Sequence, residues 1–190
     1  MTRIAIALTP DYADWEIGLL TAVARSFLGT DILTASPDGA PLTSMGGLRV
    51  TPDLAYRDLA VGDFDALVIP GGMSWEKGTA PDLTDLVADF AQRKAVIGGI
   101  CAAASALAGT GLLNDVAHTG NALLSHKAYP AYRGEALYRD QPQAVSDKGI
   151  ITAPGTSPFT FAVEILKALD LWTPDAQAEM VGFSAEHHPG

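Results

Sequence analysis

The 190-residue chain contains one cysteine, and that scarcity excludes an intramolecular disulfide framework and a cysteine-cluster metal site. A lone thiol fits a reducing compartment, so a cytoplasmic protein is expected. Basic residues are also few: 12 Lys and Arg stand against 22 Asp and Glu, a formal net charge of −10. They are scattered, which argues against a nucleic-acid partner, because polyanion binding draws on clustered cations. No apolar run approaches the ~20 residues of a membrane span, and the opening IAIAL is too short for a signal h-region. No membrane partner is expected. Only 4 histidines occur, without His-x-x-x-His or matching carboxylate spacing, so neither a metal site nor a cofactor is expected. Repeats, low-complexity stretches and linkers are absent as well.

What is present is a chain made to fold. Hydrophobic residues make up 48% and charged residues only 18%, well away from the signature of disorder. The length fits one domain over residues 1–190, with the tail from about 175 expected to fray.

Short β-rich runs alternate with longer helical patterns. RIAIAL, DILTAS, DALVIPGG and AVIGGI read as strands, and GGLRVTPD as a short strand or part of a small hairpin. Trp15, Leu19, Leu20, Val23 and Phe27 recur at helical steps and predict an apolar stripe. Further helices are expected over Ala80–Lys94, with Pro81 near its start, over Ala102–Ala108, and over Pro158–Leu171. AVSDKGIITAPG reads as paired strands around Asp147-Lys148-Gly149. Strands that are apolar throughout, joined by helices, predict an α/β protein with a mainly parallel sheet covered on both faces.

Ligands in such sheets bind beyond the carboxyl ends of the strands. Glu16 follows the first strand, Gly71-Gly72 follows ALVIP, and Cys101 follows AVIGGI. Cys101 thus stands between strand and helix, the setting of a nucleophile elbow, with two glycines before it to let the backbone turn. A helix N-terminus lowers a thiol's pKa below its usual ~8.5. The amides of Gly72 and Ala102 are candidate donors to an oxyanion, and Glu16 can shuttle a proton if burial raises its pKa. Each reading has a plain rival: a free cysteine often only packs, Glu16 suits any first helical turn, and a Gly pair is common turn punctuation. Trp15 and Trp75 can wall the pocket or simply pack, and Asp11, Asp14, Glu76 and Asp82 read as a solvated acidic rim.

At these residues the chain resembles the DJ-1/PfpI family, whose fold is similar to the class I glutamine amidotransferase domain. The resemblance rests on DYADWE, ALVIPGG, AVIGGICAAASALAGTGLL and IITAPGTSPFTFAVEIL, in the family order over roughly residues 3–170. It implies a flavodoxin-like three-layer sandwich, usually a homodimer. It also implies Cys101 as nucleophile or oxidation site, Glu16 as its protonated partner, Gly72 and Ala102 as backbone donors, and Pro154 beside a pocket that begins at Gly71.

The chain departs from the family at informative places. Protease-like members carry Cys-His at the elbow, whereas Ala102 follows Cys101 here. Many members carry a histidine in a TTHP-like run after the elbow helix; here VAHTGN puts His118 one residue early and Thr119 in its column. Side chains alternate along a strand, so His118 is expected to face away from the thiol unless a bulge restores it, leaving Thr119 and Asn121 as polar pocket groups. His126, His187 and His188 have weaker claims. SHKAYPAYRGEALYRD resembles the branch called glutamine amidotransferase-like, but no His-x-Glu accompanies Glu164, so glutaminase activity is not expected. Three functions follow: a cysteine-dependent enzyme on a small electrophilic substrate, a redox sensor through oxidation of Cys101, or a binding module with an inert thiol.

Overall fold

The computed structural model describes residues 1–184. Its centre is a seven-stranded sheet built from β1 (Arg3–Ala7), β2 (Asp31–Ser36), β5 (Leu54–Ala55), β6 (Ala66–Ile69), β7 (Val96–Ile100), β8 (Val145–Asp147) and β9 (Ile150–Ala153). They lie in the order β5-β2-β1-β6-β7-β9-β8, and only β8 runs antiparallel, paired with β9. Two short strands, β3 (Leu42–Thr43) and β4 (Arg49–Val50), form the separate hairpin anticipated in GGLRVTPD. The helices are α1 (Trp15–Ser26), α2 (Met73–Glu76), α3 (Thr84–Gln92), α4 (Ala102–Gly109), α5 (Leu123–Lys127), α6 (Pro158–Ala168) and α7 (Pro174–Ser184).

Alternating side chains of the central strands feed two cores. Ile4, Ile6, Val68, Ile100 and Ile151 pack with Leu20 and Val23 of α1 and with Phe161 and Ile165 of α6. Ala5, Ala7, Leu67, Ile69 and Ile97 face the other way, onto Val87 and Phe90 of α3 and Leu107 of α4. This is the three-layer, flavodoxin-like sandwich, and its strand order reverses direction at β1 and β6, the switch point where such sheets place ligands.

Several local expectations need correction. The glycines before Cys101 lie inside β7 and serve packing: a Cβ on Gly98 would stand 2.5 Å from Ile165 Cδ1, and one on Gly99 2.6 Å from Leu107 Cδ1. They let α6 and α4 close on opposite faces of the strand, and the turn itself is made by Cys101. Helix α3 begins at Thr84, after Pro81, with Leu83 at its N-cap; Asp82 Oδ1 accepts a hydrogen bond from the Thr84 N–H (2.8 Å) just ahead of it. The buried face of α1 is Glu16, Ile17, Leu20, Val23 and Ala24, while Trp15 and Phe27 of the expected stripe stay exposed. Residues 175–184, expected to fray, are helical, with Ala176 and Met180 buried. The rest of the tail, including His187 and His188, lies outside the described residues.

Candidate active site

Parallel register brings the ends of β6, β7 and β9 level: Ile69 pairs with Gly99, and Ile100 with Ala153. Cys101 then turns the chain from β7 into α4 with φ 61° and ψ −127°, a left-handed conformation that costs a non-glycine residue about 1–3 kcal/mol. Its N–H donates to Ala153 O (2.9 Å), and its carbonyl accepts from Ala104 N (3.2 Å). The sulfur is half-buried and tightly framed. A Cβ on Gly71 would lie 2.6 Å from Cys101 Cβ, and one on Gly155 2.8 Å from Sγ. Gly71 is therefore needed for close approach, and Gly155, which sequence reasoning passed over, has the same role on the opposite side. The Gly in APGT was the available signal.

Glu16 comes from the first turn of α1 and is 1% exposed. Its Oε2 accepts the Gly71 N–H at 2.6 Å. Its Oε1 is buried without a hydrogen-bond partner, and the same point above Gly155 that lies 2.8 Å from Sγ lies 3.0 Å from Oε1. Burial raises the carboxyl to about 7, against smaller lowering by Gly71 and the thiol. The thiol is pushed up to about 11, first by burial and then by the Glu16 charge, while Asn121 and the Ala102 amide oppose the rise. The direction is opposite to that expected from the helix terminus: burial and the facing Glu16 carboxylate push the thiol up against the Asn121 and Ala102 donors.

Asn121 is the second side chain on the sulfur. Its Nδ2 donates to Sγ (3.2 Å), and its Oδ1 accepts the Gly155 N–H (2.9 Å), so one amide ties the thiol to the APGT loop. Gly72 sits in an isolated bridge with Tyr12, closed by Ala13 N to Gly71 O (3.0 Å) and Met73 N to Asp11 O (3.0 Å). That pattern leaves the Gly72 N–H outside the bridge. Its φ of 149° and the approach of Asp11 O both require glycine there. The open cleft over Sγ is lined by Trp15, Glu16, Asn121, Pro154, Thr156 and Pro158. Trp15 is fixed by Nε1 donating to Gly155 O (3.3 Å).

His118 and Thr119 both lie away from the thiol. His118 is fully buried on a bridge to Tyr138, with Nδ1 on Val116 O (2.8 Å) and Nε2 on Tyr132 OH (2.7 Å). Both ring nitrogens are engaged away from Cys101. Thr119 is buried too: its N–H donates to Thr152 Oγ1 (2.8 Å) and its hydroxyl to Gln141 O (3.3 Å), so it anchors the loop that carries Asn121. His126 stacks on His118 and meets Ser105 Oγ (3.1 Å) and Thr119 O (3.3 Å). The acidic rim is also partly structural, since Asp14 accepts from Ser44 and from Gly46 N, and Asp11 pairs with Lys77 (3.0 Å). Among the described residues, no cluster of His, Cys, Asp and Glu is arranged to hold a metal.

The profile of the DJ-1/PfpI family matches residues 2–168. A DJ-1 superfamily protein from Agrobacterium tumefaciens superposes with a TM-score of 0.97 at 68% identity, covering 99% of this chain and 100% of that one. The uncharacterized protease YoaZ of Bacillus subtilis is 35% identical over 171 residues, 86% of this chain and 81% of its own. The glutathione-independent glyoxalase DJR-1.2 of Caenorhabditis elegans is 28% identical over 167 residues, 87% of each chain. With the sheet order, the elbow and the matched span in agreement, this chain belongs to the DJ-1/PfpI family.

Proposed function

We propose that the protein is a cysteine-dependent enzyme acting on a small electrophilic carbonyl compound, with 2-oxoaldehydes as the substrate class. The observation that carries this reading is the buried, unpartnered Oε1 of Glu16 facing the Cys101 sulfur. Between about 7 and about 11 the pair holds one proton, and moving it from Sγ to Oε1 makes a thiolate with no net change in charge. The thiolate then attacks the aldehyde carbon: an S–C bond forms and the carbonyl π pair moves to oxygen. That oxyanion is received by the Gly72 and Ala102 amides and takes the proton from Glu16. The Glu16 carboxylate next removes the C1 hydrogen as a proton, leaving an enediolate with its charge on the C2 oxygen; that proton returns to C2 while the C1 hydroxyl proton passes to the C2 oxygen. The product is a 2-hydroxy thioester that water cleaves to the free acid and thiol. Oxidation at C1 balances reduction at C2, so no outside redox partner is required. The 2-oxoaldehyde class takes support from the relative named a glyoxalase.

Proteolysis fits less well. No described histidine is bonded to Cys101, because His118 and His126 direct their ring nitrogens to other partners. The test is turnover of methylglyoxal to lactate by wild type, Cys101→Ser and Glu16→Gln. The expected result is turnover by wild type only. Turnover that survives Cys101→Ser, or none in wild type, overturns the reading.

A further inference from the structure

The cleft over Cys101 meets a second one at Asn121. The second cleft is lined also by Trp75, Glu76, Ala102, Ser105 and Tyr129. Trp75 and Tyr129 in turn border a third, more apolar space formed with Ile69, Pro81, Leu83 and Ala106. The three spaces thus adjoin one another in a row from the sulfur along the outer face of α4.

The floor of this row is low because Ala102, Ala106 and Gly109 carry little or no side chain, and its walls are held in place. The Tyr129 ring packs where a Cβ on Gly109 would be, 2.5 Å from Cδ1, and Trp75 Nε1 donates to Pro70 O (3.3 Å). From Ala102 to Gly109 the floor runs about 10 Å at the helical rise per residue. The charged residues along the two outer spaces are Glu76 and Asp82, with no Lys or Arg among the described lining. Such a groove takes an apolar chain or ring and repels an anion.

We propose that this groove is a substrate-tail channel, so that the protein takes electrophiles bearing an uncharged apolar substituent of about hexyl or benzyl size. The proposal rests on Cys101 as nucleophile, and it makes Trp75, Tyr129 and Ala106 determinants of specificity. Long-chain and aryl 2-oxoaldehydes are then preferred over methylglyoxal, and acid-tailed ones are refused.

The test needs no turnover. Native protein is alkylated with iodoacetamide, N-hexyl iodoacetamide and a 5-carboxypentyl iodoacetamide. Each reaction forms an Sγ–C bond and expels iodide, and mass spectrometry follows the single cysteine. The readout is the rate ratio of each tailed reagent to iodoacetamide, divided by the same ratio for a small free thiol. Each buried methylene is worth about three- to fourfold, so the hexyl ratio should exceed about tenfold and saturate with concentration, with no gain for the acid tail. Ala106→Trp, which fills the groove from an accessible position, should bring the hexyl ratio close to one, and Ser125→Trp, at an exposed residue of the second cleft, should reduce it. Equal ratios in wild type, a gain that survives Ala106→Trp, or an equal gain for the acid tail overturns the channel and leaves the nucleophile reading standing. Failure of all three reagents to label Cys101 removes the nucleophile reading and the channel with it.

Discussion

In the proposed mechanism Glu16 and Cys101 exchange one proton, and each half of that arrangement can be removed separately. Glu16→Gln deletes the charge that helps push the thiol up to about 11, so the midpoint of iodoacetamide labelling should move to lower pH. The same change deletes the proton carrier, and turnover should fall by about 10²–10⁴. A labelling midpoint that does not move would refute the coupling. Asn121→Ala acts in the opposite direction: the thiolate loses its side-chain donor, and the midpoint should rise. Gly155→Ala puts a methyl 2.8 Å from Sγ and 2.9 Å from Cys101 Cβ, so labelling should slow sharply and the thermal midpoint should fall. Cys101, Glu16 and the Gly71-Gly72 pair were legible in the sequence because each follows an apolar strand run. Asn121 was visible only as a polar pocket group. Its contacts with Sγ and Gly155 depend on a loop anchored by Thr119 to Thr152, a pairing that no local pattern encodes.

Among the elements, β7 carries the densest constraint. Its two glycines were legible as part of a strand, but their purpose was not, since Ile165 and Leu107 lie far along the chain and arrive from opposite layers. Gly98→Ala forces a methyl into the Ile165 and Phe161 side chains and should cost about 1–3 kcal/mol, read by denaturant unfolding. An unchanged midpoint would mean that α6 yields easily. The misread stripe of α1 has a related cause: amphipathic periodicity assumes that charged residues face water. Here Glu16 is buried, its Oε2 accepting the Gly71 N–H, and Trp15 is 50% exposed at the rim of the cleft.

At the scale of the whole molecule, two buried groups set opposing pH dependences. His126 stays neutral down to about 4, against 6.5 for free imidazole, chiefly through burial. Between those values the unfolded chain binds the extra proton, and stability rises with pH. Glu16 is raised from 4.5 to about 7, so between those values the folded chain holds the extra proton and stability falls as pH rises. The two slopes oppose each other over their shared range. Glu16→Gln removes one of them, and its Tm should drop more steeply than that of wild type on acidification from about 6.5 to about 4; parallel Tm profiles would refute this assignment. Trp15 at the cleft, and Met45 and Leu48 in the β3-β4 hairpin that Asp14 ties to α1, leave apolar surface in water. Light scattering is expected to report a homodimer, twice the 19.8 kDa chain mass, and a monomer at micromolar concentration would contradict it. The strand order also has a consequence for synthesis. Cys101 takes its backbone partner from Ala153 and its sulfur cover from Gly155, both made long after it. At roughly 5–20 residues per second, the nascent chain carries its only thiol for several seconds before the strand that houses it leaves the ribosome. During that interval the sulfur has an ordinary solvated thiol's chemistry, and oxidants or electrophiles in the cell can reach it before the fold closes around it.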